Sequence, residues 1–224
     1  MPHSIRCVLY DMDGLLLDTE RFYTVVTQEI AEQHGKTFDW TIKSRIIGRK
    51  AHESARIIVE ELELPMTPDE YLASRYTRLR ELFPDAQPLP GATRLTQHLY
   101  AVGVPQAVAT SSGRELYEIK TAHHRQWFSH FQTVVKGDDP EVREGKPAPD
   151  IFLLAAKRLG FAPSECLVFE DAPSGTTAAR SAGMSVVVVP DPNMDRSLYP
   201  PPDQFLDSLE QFRPEDWGLP AYRN

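Results

Sequence analysis

Four short apolar runs, Ile5–Tyr10, Pro105–Ala109, Cys166–Phe169 and Ser185–Val189, are continuous rather than alternating. Unbroken apolar strands suit a sheet that is covered on both faces. The stretches between them carry helical patterns with readable ends. Thr67-Pro68-Asp69-Glu70 has the form of a capping box with proline at the first helical position, and Ser112 with Glu115 has the form of a second. A helix from about Pro149 puts Ile151, Leu154, Ala155 and Leu159 on one face and stops at Gly160, and another runs from Ser174 to Ala182 and stops at Gly183. Strands alternating with helices predict an α/β fold built on a doubly wound parallel sheet.

The alternation fails between Thr19 and Gln87. Here the spacing is helical throughout: Phe22, Val25, Val26 and Ile30, then Ala51, Ala55, Ile58 and Leu62. An all-helical lobe over 19–87, inserted after the first strand of a core formed by 1–18 and 88–224, is the organisation this predicts. Pro84, Pro88, Pro90 and Gly91 mark the return to the sheet. Five of the 19 prolines fall between Pro190 and Pro202, so the last stretch is expected to be irregular, with one short strand near Phe205.

Composition narrows the function classes. With 24 basic against 32 acidic residues the net charge is −8 and no basic stripe is visible, which argues against nucleic acid or an anionic membrane as partner. The longest apolar run, Ile151–Ala156, is six residues, far short of the ~20 that cross a membrane. The N-terminus enters apolar sequence without a basic region or cleavage site, so no secretory leader is expected. Cys7 and Cys166 both sit in strand-like runs and read as buried thiols of a reducing, cytoplasmic compartment.

Ligands of open α/β sheets bind beyond the carboxyl ends of the strands. There the chain carries Asp11-Met12-Asp13-Gly14 after the first strand, Thr110-Ser111-Ser112 after the second and Glu170-Asp171 after a later one, with Lys146 before a helix start. Carboxylates at i and i+2 of an extended segment point the same way, and Gly14 lets the chain turn off at once. Like charges held that close need a cation, and an all-oxygen donor set of Asp11, Asp13 and Asp171 suits Mg²⁺. A lysine and a hydroxyl beside such a cluster make a cradle for a phosphoryl group. One Asp can then attack phosphorus to form an aspartyl-phosphate while its neighbour handles the leaving-group proton and activates water.

These residues, with Gly145-Lys146-Pro147-Ala148-Pro149-Asp150 around the lysine, stand in the order of the four motifs of the haloacid dehalogenase-like hydrolases. The chain resembles the subgroup with a helical cap after the first strand, and most of all its pseudouridine-5'-phosphatase and glycerol-3-phosphate phosphatase branches. Gly48-Arg49-Lys50-Ala51, Gly137-Asp138-Asp139-Pro140-Glu141-Val142 and Trp217-Gly218-Leu219-Pro220 extend the likeness over nearly the whole length. The resemblance implies that Asp11 is the nucleophile and Asp13 the acid/base, with its main-chain carbonyl on the metal. It also implies that Thr110 and Ser111 hold the phosphoryl group, that Lys146 bridges nucleophile and phosphoryl, and that Asp171 and Glu170 serve the metal. The cap is expected to contact substrate through Arg49 or Lys50. The same likeness implies a small phosphomonoester as substrate, of the pseudouridine 5'-phosphate or glycerol 3-phosphate kind, and a monomer is expected.

Two other functions stay open on the same motifs. One is a sugar phosphomutase, although the histidine of that branch is replaced by Tyr23; the other is a non-catalytic binding protein. Dehalogenation is set aside because true dehalogenases lack the second Asp. Several other readings fail on residue type. Lys146 lacks the following Ser or Thr of a P-loop. Leu15 and Phe22 stand where a calcium loop begun at Asp11 needs oxygen ligands. Asp138 and Asp139 read as a turn or helix cap, and His123 and His124 as surface residues.

Overall fold

A computed structural model describes residues 5–46 and 51–222. The chain divides into two compact units, residues 1–18 with 87–224 and residues 19–86. Its strands are β1 (Cys7–Tyr10), β2 (Gln106–Thr110), β3 (Thr133–Lys136), β4 (Cys166–Glu170), β5 (Ser185–Val188) and β6 (Gln204–Phe205). The helices are α1 (Glu20–Gln33), α2 (Trp40–Ile46), α3 (Ala51–Glu61), α4 (Pro68–Leu82), α5 (Ala92–Ala101), α6 (Arg114–Lys120), α7 (Arg125–Phe128), α8 (Asp150–Leu159) and α9 (Pro173–Ser181).

In the first unit six parallel strands line up in the order β3-β2-β1-β4-β5-β6. The order reverses direction at β1, which pairs with β2 on one side and β4 on the other. Every residue of β1, β2, β4 and β5 is buried, because each face of these strands has its own cover. Cys7 and Leu9 share a core with Ala107, Val135, Val168 and Val186, closed by Phe152 and Ala155 of α8 and Ala178 of α9. Val8 and Tyr10 point to the opposite face and are equally buried. There the Tyr10 ring stacks on Phe169 at 5.4 Å and its hydroxyl donates to Gln106.

The continuous apolar runs thus become central strands, and Phe205 lies in a short edge strand. The sequence pattern missed β3. Of its four residues only Val135 is buried, so a short, half-exposed edge strand leaves no run for a pattern to detect. A second expectation is corrected: Ser112 and Glu115 form no capping box. Gly113 is the residue before α6, and Asp138 Oδ2 accepts the Arg114 N–H instead. The carboxylate reaches in from beyond β3, so the cap is tertiary rather than local.

The second unit is helical among its described residues. The capping box at Thr67 is formed: Glu70 N–H donates to the Thr67 hydroxyl and Thr67 N–H to Glu70 Oε2. A buried 2.8 Å hydrogen bond between Thr27 and Tyr71 ties α1 to α4, and Arg78 donates twice to Glu29 across the same helix pair. Tyr23 packs edge-on against Phe83 at 5.5 Å. Arg49 and Lys50 lie outside the described residues.

Candidate active site

The carboxyl ends of β1, β2 and β4 meet at the point where strand order reverses, which is where an open α/β sheet leaves a crevice. Asp11 follows β1 directly. Its N–H donates to Phe169 of β4, so the extended backbone runs one residue past the strand. Met12 is fully buried, which sends Asp11 and Asp13 to the other side of the chain. Leu16 and Leu17 then donate to the Met12 carbonyl, and Gly14 adopts φ +79°, closing a turn that a side chain would strain.

Two lysines serve the two carboxylates. Lys146 Nζ lies 2.5 Å from Asp11 Oδ1 and 2.6 Å from Glu170 Oε1, and also donates to the Ala109 carbonyl. Its stem runs over the Phe152 ring. The loop that carries it is fixed by Asp150, whose Oδ2 accepts from Arg143 and Glu144 N–H. Glu170, 1% exposed, accepts the Asp171 and Ala172 amides at its other oxygen. Burial pushes the Asp11 carboxyl up to about 7, against the opposing pull of the Lys146 ammonium. Lys146 stands above the usual ammonium range: burial opposes its charge, but Asp11 and Glu170 together outweigh burial.

Asp13 is held differently. Lys120 Nζ donates to Oδ1 at 2.6 Å, and Ser112 Oγ donates to Oδ2 at 2.9 Å, with Thr110 Oγ1 at 3.4 Å. Thr110, fully buried, also accepts the Ser112 N–H. Asp171 arrives one residue past β4, where Tyr199 donates to its carbonyl at 2.6 Å.

The structure therefore brings Asp11, Lys146 and Glu170 together, and Asp13 with Thr110 and Ser112. Among the described residues no three His, Cys, Asp or Glu side chains form a ready-made cation cluster. Of the carboxylates expected to share a metal, Asp11, Asp13 and Glu170 are engaged by ammonium, hydroxyl and amide groups. The donor chemistry still fits a hard cation. Lys146 takes Asp11 Oδ1 and leaves Oδ2 without a hydrogen-bond partner among the described residues, and Asp171 adds oxygen from the neighbouring strand end.

Lys120, and Ser112 as a partner of Asp13, are features that motif reading missed. A lysine in the last turn of a helix reads as solvated, and only the fold reveals that this one is fully buried.

Comparison with known proteins agrees with this geometry. Residues 5–183 match the model of the haloacid dehalogenase-like hydrolases. Along 99% of its length the chain is 49% identical to (DL)-glycerol-3-phosphatase 2 of Arabidopsis thaliana, covering 94% of that protein. It is 52% identical over 97% of its length to the Drosophila melanogaster protein named "Probable pseudouridine-5'-phosphatase", covering 95% of it. Among solved structures, a haloacid dehalogenase family hydrolase of Deinococcus radiodurans superposes with a TM-score of 0.79 at 23% identity, over 98% of this chain and 100% of that one. The chain belongs to the haloacid dehalogenase-like hydrolases.

Proposed function

We propose that this phosphatase hydrolyses a small phosphomonoester through an aspartyl-phosphate on Asp11. The observation that carries the proposal is the placement of Asp11 at the sheet's switch point, with one oxygen gripped by Lys146 and the other unengaged among the described residues. Oδ2 is the atom suited either to attack phosphorus or to hold a cation. Asp13, two residues on, is placed to protonate the leaving oxygen and then to take a proton from water. Lys146 keeps positive charge at the nucleophile, where the phosphoryl group brings negative charge. The Ser111 main-chain amide is the donor we assign to the phosphoryl oxygens, beside the Thr110 hydroxyl. Mg²⁺, held by Asp11, Asp171 and the Asp13 carbonyl, would add positive charge opposite the transferring group. Glu170 acts behind these residues, aiming Lys146 and the Asp171 backbone.

The relatives named for glycerol 3-phosphate and pseudouridine 5'-phosphate favour a leaving group of polyol or nucleoside size. Tyr23 stands where the phosphomutase branch carries histidine, and its ring is used in packing against Phe83; this supports hydrolysis over return of the phosphoryl group to a sugar. Arg49 and Lys50 stay proposed substrate contacts. Cys7 and Cys166 are free thiols, which supports a reducing compartment. Among the described residues no helix is long and apolar enough to cross a membrane.

The test is release of inorganic phosphate from a panel of nucleotide, sugar and polyol monophosphates with Mg²⁺ present. Turnover of one class, lost in Asp11→Asn, is expected. Full activity in that variant would overturn the mechanism.

A further inference from the structure

Lys120 is fully buried, yet it lies on a seven-residue helix whose other charged residues are exposed. Withdrawing an ammonium from water costs several kcal/mol, and an apolar residue of the same shape is often at least as stabilising. Stability is therefore a weak reason for this lysine to be here. Two of its hydrogen bonds serve one carboxylate. Nζ donates to Asp13 Oδ1 at 2.6 Å and to Ser112 Oγ at 2.9 Å, and Ser112 Oγ in turn donates to Asp13 Oδ2 at 2.9 Å. Ammonium, hydroxyl and carboxylate close a three-membered ring of hydrogen bonds that holds both oxygens of Asp13.

The ring is itself anchored. Asp138 caps α6 through the Arg114 N–H, and Gly137 N–H donates to the Ser112 carbonyl. Gly137 has no room for a side chain, since a Cβ there would overlap the Ser111 carbonyl. At the middle of the helix the Tyr117 ring packs on Phe128 and is covered by the Lys136 ammonium. The segment from Ser111 to Lys120 is thus fixed at its start and at its middle, and the lysine arrives at Asp13 on a braced helix.

We infer that Lys120 is a positioning residue for Asp13, holding the carboxylate aimed at water in the second half of the reaction. The inference rests on the proposed role of Asp13 as acid/base. In the first half the Asp11 oxygen bonds to phosphorus, the phosphorus–oxygen bond to the alcohol breaks, and the Asp13 proton goes to the departing oxygen. In the second half water attacks phosphorus, its proton passes to the Asp13 carboxylate, and the bond between Asp11 and phosphorus breaks to release inorganic phosphate. A carboxylate met by donors at both oxygens is arranged for this second step. A displacement of about 1 Å at such a group costs on the order of 10²-fold in rate.

The experiment uses p-nitrophenyl phosphate, whose phenolate leaves without a proton, so phosphoenzyme formation does not need Asp13 as an acid. Rapid acid quench and mass spectrometry then follow formation and decay of the phosphoenzyme separately in the full chain. Lys120→Met is expected to form phosphoenzyme within about threefold of the parent rate while its decay slows by about 10- to 100-fold. In the steady state kcat and KM then fall together and kcat/KM is kept. Ser112→Ala, which removes one hold and leaves the ammonium, is expected to give the same split with a smaller slowing, and it decides the matter if Lys120→Met does not fold. Equal losses in formation and decay, or decay at the parent rate, would overturn the inference. Asp13→Asn is run beside them. Normal decay in that variant would defeat the acid/base assignment itself, whereas slow decay there with normal decay in the other two would defeat the role of Lys120 alone.

Discussion

Gly175 of α9 approaches Glu170 at the end of β4 so closely that a Cβ would overlap the glutamate carboxylate. The glycine is required by the buried acid rather than by its own backbone. Gly175→Ala is therefore expected to push Glu170 off Lys146, costing about 1–3 kcal/mol of stability from overpacking and on the order of 10²-fold in kcat/KM from misplacement of the lysine. Thermal unfolding and steady-state kinetics on one preparation check both numbers. A variant that is destabilised but fully active would show that Glu170 does not position Lys146.

Asp11→Asn removes the proposed nucleophile. Loss of kcat by about 10³-fold or more is expected, with the fold retained. The parent protein, quenched in acid during turnover, should carry one phosphoryl group that the variant lacks, as read by intact-mass spectrometry.

Lys146→Met leaves Asp11 and Glu170 buried side by side without their shared cation. Breaking a buried ion pair from one side costs about 3–5 kcal/mol, and activity should fall with it. Urea unfolding should show the loss. A variant as stable as the parent would mean that water reaches these carboxylates freely.

Removal of divalent ions with EDTA is expected to lower phosphatase activity to below about 1% of the starting value, because a bound cation supplies several kcal/mol of transition-state stabilisation. Mg²⁺ should restore it. Undiminished turnover after exhaustive chelation would show that the lysines alone suffice.

The helical unit offers a pH test of its own. Hydrogen bonds from Arg78 hold the Glu29 carboxyl below its usual range. Such a group contributes stability above its unfolded-state pKa and loses that contribution as pH falls through the folded value. Arg78→Gln should therefore lower stability slightly at neutral pH, since both side chains are partly exposed, and by progressively less as pH falls through the lowered folded-state value of Glu29. Denaturant titrations from neutral pH downward measure the difference.

Legibility in the sequence depends on how local each signal is. Central strands buried on both faces announce themselves as unbroken apolar runs, so β1, β2, β4 and β5 were legible, whereas β3 buries one residue and was not. The Thr67 cap is local and was legible; Asp138 was legible as a turn or cap residue, but not that the helix it caps is α6, 24 residues away. Asp11, Asp13, Thr110 and Glu170 sit in or beside strand ends, where topology alone gathers them, and Lys146 comes from the loop before α8. Lys120 reaches the same place from the last turn of a short helix, and nothing in its immediate neighbours distinguishes it from a solvated lysine.

The central position of β1 carries a dynamic consequence. Its backbone is bonded on both sides, and the Asp11 amide is itself donated to Phe169. Such a segment breathes only when the whole sheet opens. The oxygen proposed to attack is thus mounted on the least yielding part of the molecule, bonded into the sheet from both sides.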